Sequence, residues 1–235
     1  MPVPISSRLR LCADMVIPGA RVADIGADHG YLGIFLLTEG RAETIAACDL
    51  REGPLNSARR NAEKYGLSER MDFFLSDGLR DVPRDGYDTV VCAGMGGDLI
   101  VQILSDAPWL RDPGYTLILQ PQTGIDDLRA WLNEQGFAED RADLATDAGR
   151  IYCALRARFG ESEPLSPGKH FVSDALLASG SPLLGEYIAR TVRTLRRIAA
   201  GLERADASPD PDRLNYCRAA IKELCEMEKR YADCE

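Results

Sequence analysis

The sequence predicts an α/β fold, a Rossmann-like doubly wound sheet of seven strands followed by a C-terminal α-helical hairpin. Between residues 20 and 121, short β-rich runs alternate with helical ones. The runs at 89–92 and 116–119 are apolar without alternation, which is typical of strands covered by helices on both faces. Apolar residues at seven-residue spacing near the end of the chain predict the hairpin. We therefore divide the chain into a sheet domain, 1–160, and a helical domain, 161–235.

The first half of the sheet follows from three β-rich runs. They predict strands over 21–26, 44–50 and 71–78. The segments between them have helical spacing, and they predict helices over 31–40 and 53–67. Short strands joined by helices favour parallel pairing with right-handed crossovers.

The second half continues this alternation and then changes. Strands are predicted over 87–94 and 114–121, with helices over about 96–105 and 126–136. Two β-like runs then flank Asp147-Ala148-Gly149, which predicts a hairpin and therefore an antiparallel strand at the sheet edge. The next segment, 160–171, is rich in Gly, Pro and Ser and is interpreted as a connector.

The last part of the chain contains two helical repeats joined by a short segment, 204–211, with two prolines. Such a pattern predicts an antiparallel hairpin of coiled-coil type. The predicted seam positions are Leu184, Ile188, Thr191, Leu195, Ile198 and Leu202 in the first helix and Leu214, Cys217, Ile221, Leu224 and Tyr231 in the second.

Composition limits the classes of function. The chain has no apolar run long enough to span a membrane, and its N-terminus lacks a continuous signal-peptide core, so we expect a cytoplasmic protein without a membrane partner. Seven cysteines without a Cys-x-x-Cys pair and only two histidines favour neither a disulfide framework nor a metal site. The net charge of −9 argues at first against a polyanionic partner.

The stretch VADIGADHGYLGIFLL, 22–37, resembles a nucleotide-binding turn with acids inside it. Dinucleotide folds place Gly-x-Gly-x-x-Gly here because a pyrophosphate binds the helix N-terminus. Asp28 would repel that pyrophosphate. S-adenosylmethionine (AdoMet) has no phosphate, and its ammonium and sulfonium groups are cationic, so Asp24 and Asp28 favour it. Gly26 and Gly30 allow close backbone approach.

The other strand ends fit the same cofactor. Asp49 follows the second strand and is placed to accept hydrogen bonds from both ribose hydroxyls. Asp77, after the third strand, is placed to accept a hydrogen bond from the adenine amino group. The fourth strand runs into a glycine-dense turn, 93–98, that leaves room for a substrate above the methyl group. We expect the cofactor to contact Asp24, Gly26, Asp28, Gly30, Asp49, Leu50, Asp77, Gly78, Ala93, Gly94 and Met95.

Four stretches carry a resemblance to a known family: SSRLRLCADMVIPGARVADIGADHGYL, VCAGMGGDLI, LILQPQTGIDDLRAWL and DAGRIYCAL. They resemble the bacterial tRNA (adenine-22-N1)-methyltransferases over residues 5 to about 158. This resemblance implies a class I methyltransferase domain with a C-terminal coiled-coil extension. It also implies that AdoMet is the donor and that the acceptor is N1 of an adenine in the tRNA D-arm, at position 22.

The chemistry of this reaction suggests further candidates. Adenine N1 has an in-plane lone pair and can attack a sulfonium methyl directly, so alignment supplies most of the rate. The cationic product needs a proton acceptor, for which Asp28 and His29 are candidates, with Arg8 as a contact to phosphate or base. The target base must be turned outward to reach the donor. We expect acceptor contacts from Arg8, Gly96, Gly97, Gln120, Arg190, Arg193 and Arg197.

Several alternatives remain open at this point. Asp28 can instead cap the following helix, and the glycines after the fourth strand can serve only a tight turn. Arg190, Arg193 and Arg197 lie within about 60° on one helix face, either as a phosphate-binding stripe or as a solvated face. The hairpin can bind tRNA, pack on the sheet domain or dimerise, and we expect a monomer. Other acceptors, or a non-catalytic nucleotide-binding module, also fit the residues.

Overall fold

A seven-stranded sheet forms the centre of the computed structural model, which describes residues 2–204 and 210–232. The strand order is β3-β2-β1-β4-β5-β7-β6. The first five strands are parallel, and β7 is antiparallel to both of its neighbours. The strands are β1 (Ala20–Ile25), β2 (Ala42–Asp49), β3 (Met71–Leu75), β4 (Thr89–Gly96), β5 (Thr116–Thr123), β6 (Phe137–Asp147) and β7 (Arg150–Phe159).

Helices cover both faces of the sheet. They are α1 (Ser7–Met15), α2 (Tyr31–Thr38), α3 (Glu52–Tyr65), α4 (Gly97–Ser105), α5 (Ile125–Glu134), α6 (Asp174–Leu177), α7 (Leu184–Glu203) and α8 (Pro211–Ala232). In β5, Leu117 and Leu119 pack in the core with α4 and α5, while Ile118 packs in a second core with α1 and α2. This burial on both faces explains the lack of alternation in the strand sequences and confirms the predicted doubly wound fold.

The predicted hairpin forms, but its position in the sheet differs from the prediction. The turn uses Ala148 and Gly149, both with positive φ, as a tight two-residue hairpin requires. The second strand of the hairpin, β7, pairs with β5, so the antiparallel strand lies between β5 and β6. The edge strand is therefore β6. The prediction that the antiparallel strand lies at the sheet edge was wrong. The chain forms β6 with one strand position left between it and β5, and β7 then returns in the opposite direction to fill that position.

Helix α1 has no counterpart among the predicted elements. Its N-cap is Ser6, whose side-chain oxygen accepts a hydrogen bond from the backbone N–H of Leu9. Cys12, Ala13 and Met15 bury the inner side of α1 against the sheet. The helix thereby holds Arg8 in its first turn, near the carboxyl ends of β4 and β5, where Arg8 reaches Gln120.

Helices α7 and α8 form the predicted helical hairpin, with a buried stripe that drifts from the heptad positions. In α7, Val192 and Ala199 are buried, whereas Thr191 is partly exposed and Ile198 is exposed. A straight helix repeats every 3.6 residues rather than 3.5, so its buried face drifts by about 20° per heptad away from a strict heptad pattern. Residues 205–209, within the connection, and the side chain of Tyr231 lie outside the described part of the chain.

The hairpin packs on the sheet domain. Leu184, Ile188 and Leu195 of α7 belong to the same hydrophobic cluster as Leu117 and Leu128. The boundary at 160/161 stays a prediction. Within the described residues, no helix is both long and apolar enough to cross a membrane.

Candidate active site

A cavity of about 200 Å³ opens at the carboxyl ends of β1 and β4, beside the first turns of α1 and α2. This location is the usual ligand crevice of an open parallel sheet. The residues that line it include Arg8, Asp24, Gly26, Asp28, His29 and Gly94. The structure therefore brings together candidates from three segments of the sequence: the loop between β1 and α2, the first turn of α1, and the turn at the end of β4.

The loop between β1 and α2 is built from left-handed backbone. Gly26, Asp28 and Gly30 have φ of 73°, 49° and 72°, and the amides of Gly26 and Ala27 donate to the carbonyl of Cys48 in β2. Gly30 is the N-cap of α2, and no side chain caps this helix. The alternative that Asp28 serves as a helix cap is therefore wrong, and the exposed carboxylate of Asp28 stands at the cavity, 3.6 Å from His29 Nε2.

Asp24 is a buried carboxylate at the base of this cavity, and only 4% of the residue is exposed. No donor among the described residues hydrogen-bonds to its carboxylate oxygens. Burial, with a smaller contribution from Asp49, raises the pKa of Asp24 to about 7. A cationic group in the cavity would offset the cost of charging Asp24, so the site is suited to a ligand with positive charge.

Asp49 joins the end of β2 to the loop. Its carboxylate accepts the backbone N–H of Asp28 at 3.3 Å and that of Arg51 at 2.9 Å. The residue is 7% exposed, so its position is fixed by the surrounding backbone. Beyond it, Leu50 is 68% exposed and Leu75 at the end of β3 is 49% exposed. These two apolar side chains flank Asp49 at the carboxyl ends of β2 and β3, and together they form an apolar surface on which the flat ring of a ligand can pack.

The Asp24 pKa predicts a pH dependence of stability. A carboxyl whose pKa is higher in the folded than in the unfolded protein destabilises the fold increasingly as pH rises from about 4 to about 7. Relative to Asp24→Asn, the wild-type free energy of unfolding should fall by up to about 4 kcal/mol between pH 4 and pH 8. Urea unfolding of both proteins without ligand measures this difference. If the free energies of unfolding of the two proteins changed with pH in parallel, Asp24 would have the same pKa in the folded and unfolded states, contrary to this prediction.

The turn after β4 is held by a small polar network. Buried Gln120 accepts hydrogen bonds through Oε1 from Arg8 at 2.8 Å and from the backbone N–H of Gly94 at 3.1 Å. Gly94 has φ of 83°, and a Cβ there would lie 2.8 Å from the Arg8 guanidinium. A Cβ on Gly26 would lie 2.5 Å from the Met95 methyl group. The structure thus brings Arg8, Gln120 and Gly94 together, and it places Met95 beside Gly26.

The two following glycines have different surroundings. A Cβ on buried Gly97 would lie 2.4 Å from the carbonyl oxygen of Gly124, so Gly97 is required for close packing of α4 on the β5–α5 connection. Gly96 is partly exposed, and a Cβ there would meet only the Thr123 hydroxyl, at an ordinary contact distance of 3.4 Å. Packing alone is sufficient to explain why a glycine stands at position 97. Contact of either glycine with the methyl-accepting substrate stays a prediction.

Asp77 lies apart from the cavity. One of its oxygens accepts from Arg80 at 2.7 Å, and the same guanidinium pairs with Asp106 at 2.8 Å. Gly78, with φ of 63°, packs against Ile103. The structure leaves the second oxygen of Asp77 without a hydrogen bond from any described residue, and contact with an adenine amino group stays a prediction for that oxygen.

The arginines of α7 are exposed. Arg190 pairs with Glu186 at 2.6 Å and donates to the carbonyl of Gly149, whereas Arg193 and Arg197 have no ion-pair partner among the described residues. In the described ranges, no group of three or more His, Cys, Asp or Glu side chains is placed to hold a metal ion. Of the six described cysteines, which are all free thiols, Cys225 alone is partly exposed; Cys234 lies outside the described residues.

The strand order with its inserted antiparallel β7, and the acid-edged crevice at its carboxyl end, define a class I methyltransferase. A family model described as a methyltransferase domain matches residues 5–155. The tRNA (adenine(22)-N(1))-methyltransferase of Bacillus subtilis is 31% identical over 186 residues, which cover 79% of this chain and 75% of that protein. The chain belongs to the family of tRNA (adenine-22-N1)-methyltransferases.

Solved structures agree with this family. The crystal structure of the B. subtilis m1A22 tRNA methyltransferase TrmK is similar with a TM-score of 0.85 and 26% identity, over 97% of this chain and 100% of that one. A Streptococcus pneumoniae protein, proposed to be a tRNA (m1A22) methyltransferase and crystallised with S-adenosyl-L-methionine, is 32% identical with a TM-score of 0.77. That alignment covers 95% of this chain and 99% of the other.

Proposed function

We propose that the protein transfers the methyl group of AdoMet to N1 of an adenine in the tRNA D-arm, at position 22, in the cytoplasm. The observation that carries the proposal is the cavity edged by Asp24 and Asp28, which suits a cationic donor, in a chain whose relatives are named for this reaction. Family membership supports the acceptor, and the local chemistry supports the donor.

The described residues fit AdoMet along the carboxyl edge of the sheet. Asp24 and Asp28 line the cavity and would hold the cationic amino-acid and sulfonium end, and the left-handed backbone at Gly26 and Gly30 permits close approach. The fixed carboxylate of Asp49 is available to the ribose hydroxyls, and exposed Leu50 to the adenine ring. The bound donor supplies an electrophilic methyl group on a positively charged sulfur.

The protein's part in the transfer is alignment and charge stabilisation. As adenine N1 bonds to the methyl carbon, the carbon–sulfur bond breaks and the positive charge moves from sulfur to the base. Asp28, exposed at the cavity mouth, can stabilise that charge and accept the surplus proton, with His29 3.6 Å away as the next acceptor. Arg8 is held by Gln120 and cannot swing freely, so it acts as a fixed contact for the base or its phosphate.

An acidic protein still needs a surface that attracts RNA. Arg193 and Arg197 are exposed on α7 and have no ion-pair partner among the described residues, so they offer positive charge at the surface of this helix. Local basic surface can hold phosphates despite a negative total charge, with strong dependence on salt. This assigns the stripe on α7 to the tRNA backbone.

Replacement of Asp28 by alanine tests the reaction. We expect kcat for methyl transfer to unmodified tRNA to fall by about 100-fold or more, because the group that stabilises the charged base is lost. AdoMet affinity should change by only a few fold, since Asp24 remains. Nucleoside mass spectrometry of the treated tRNA measures N1-methyladenosine, and isothermal titration measures cofactor binding.

Asp81→Ala is a matched control, because Asp81 is exposed and outside the cavity. It should methylate as the wild type does. The proposal fails if wild-type protein binds AdoMet but forms no N1-methyladenosine in tRNA, and methylation of another nucleotide would assign a different acceptor. Full activity in Asp28→Ala would remove that residue from the chemistry and leave the function intact.

A further inference from the structure

A groove leads from the end of β5 to helix α7. Two adjoining cavities of about 220 and 300 Å³ form it, and both are lined by Gly124, Ile125, Ile151 and Tyr187. The end next to the sheet is formed by the strand end at 121–123 and by Tyr152. The other end lies along α7. We call this feature the β5–α7 groove; none of the predicted donor contacts lines it.

The seven tyrosines whose side chains the structure describes divide into two groups by the partners of their hydroxyls. Four hydroxyls are hydrogen-bonded within the protein; they belong to Tyr65, Tyr87, Tyr115 and Tyr216. Three have no hydrogen-bond partner among the described residues, and they belong to Tyr31, Tyr152 and Tyr187. All three of these line either the donor cavity or the β5–α7 groove. Aromatic rings with free polar ends are therefore concentrated at this edge of the sheet.

Tyr152 stands where the groove meets the donor cavity. The Arg8 guanidinium lies 5.9 Å from the centre of its ring, within the range of a cation–π contact. Arg8 also lines the donor cavity and contacts Gly94, and it is fixed there by its hydrogen bond to Gln120. Tyr152 is partly exposed, so the remaining ring surface is available to a ligand.

The charges of the groove favour a nucleic acid strand. Arg150 lines the part of the groove next to the sheet, and Arg190 lines the part along α7. Arg190 also donates to the carbonyl of Gly149, the residue before Arg150. The acid in the groove, Asp126, is 3.5 Å from Arg213, which balances its charge. Aromatic platforms beside arginines are the arrangement by which proteins bind unpaired nucleotides.

We propose that Tyr152 is the platform against which the target adenine is positioned for attack, and that the β5–α7 groove holds the nucleotides next to it. The inference rests on the proposed function and deepens it, because it names the surface that receives the outward-turned base. Tyr152 acts by position: its ring limits the base to the orientation in which N1 faces the donor, and Arg8 fixes the ring. No proton transfer is assigned to the hydroxyl.

Three substitutions of Tyr152 test the platform. Tyr152→Leu and Tyr152→Val retain a side chain suited to a β-strand but remove the aromatic face, and Tyr152→Phe keeps it. We expect kcat at saturating tRNA to fall by about 10- to 100-fold in the Leu and Val variants. Tyr152→Phe should stay within about threefold of the wild type. KM for tRNA should change much less than kcat, since the contacts on α7 remain.

AdoMet titration and thermal unfolding separate this role from a structural one. Cofactor affinity should stay within twofold in all three variants, and Tyr115→Phe, at a tyrosine outside the groove, should leave kcat unchanged. Wild-type kcat in Tyr152→Leu or Tyr152→Val would overturn the inference while the proposed function stands. A wild-type protein that methylates no adenine in tRNA would overturn both. Equal losses of kcat in the Phe and Leu variants would also overturn the platform, because the ring face would then not matter.

Discussion

Asp49→Ala should weaken AdoMet binding by at least about 100-fold. The carboxylate is the acceptor that we assign to both ribose hydroxyls, and a hydrogen bond to a charged group contributes about 1.5–3 kcal/mol. Two such bonds correspond to a factor of roughly 100 or more in Kd. The substitution also removes the acceptor for the amides of Asp28 and Arg51, so the loop between β1 and α2 loses one of its ties to β2.

Titration with two ligands makes this prediction specific. S-adenosylhomocysteine has the same ribose but no charge on sulfur, so its affinity should fall by the same factor as that of AdoMet. Glu52→Ala is the matched control, because Glu52 is an exposed acid three residues further on, and it should leave both affinities within twofold. Retention of AdoMet affinity within threefold in Asp49→Ala would show that the ribose binds elsewhere.

The sequence predicts the acids of the donor site because topology alone brings them together. Asp24 and Asp49 end neighbouring parallel strands, and the carboxyl ends of such strands meet at one edge. Assignment of strands to runs of four to eight residues is therefore enough to place both carboxylates in one crevice. Their roles toward the donor remain predictions.

The contacts around Arg8 were beyond sequence reasoning. Arg8 and Gln120 are 112 positions apart, and their hydrogen bond depends on how α1 crosses the sheet. Helix α1 itself is short, so its periodicity is weak, although Ser6 followed by helical spacing was a usable N-cap signal. Tyr152 is one residue of an ordinary strand pattern, and only the folded structure shows that it faces a groove.

Arg129 illustrates another limit, because a charged residue in an amphipathic helix is normally interpreted as solvated. The structure buries it completely between α5, β6 and the connector. Its guanidinium pairs with Glu139 at 2.8 Å, and donates to the carbonyl of Phe171 at 2.6 Å. The end of the predicted connector, 160–171, is thus attached to the sheet domain by Arg129, a charged residue that hydropathy alone would place at the surface.

Arg129→Met should lower the free energy of unfolding by about 3–5 kcal/mol. Removal of one partner leaves Glu139, only 13% of whose side chain is exposed, as an uncompensated charge, and it leaves the carbonyls of His170 and Phe171 without their donor. Urea unfolding followed by circular dichroism measures the loss. Because the connector loses its attachment, limited trypsin digestion should also cut faster after Lys169.

Arg218→Met provides the comparison that isolates burial. Arg218 pairs with Glu203 at 2.7 Å, a distance similar to that of the Arg129 pair, but more than half of its side chain is exposed. Its loss should cost at most about 1 kcal/mol, since water solvates the remaining carboxylate. The double variant Arg129→Met/Glu139→Leu should regain part of the stability lost in Arg129→Met, because it removes the buried charge that the single substitution leaves behind. Equal losses in Arg129→Met and Arg218→Met would mean that Glu139 finds water or another partner, and that burial of the pair does not set its energetic importance.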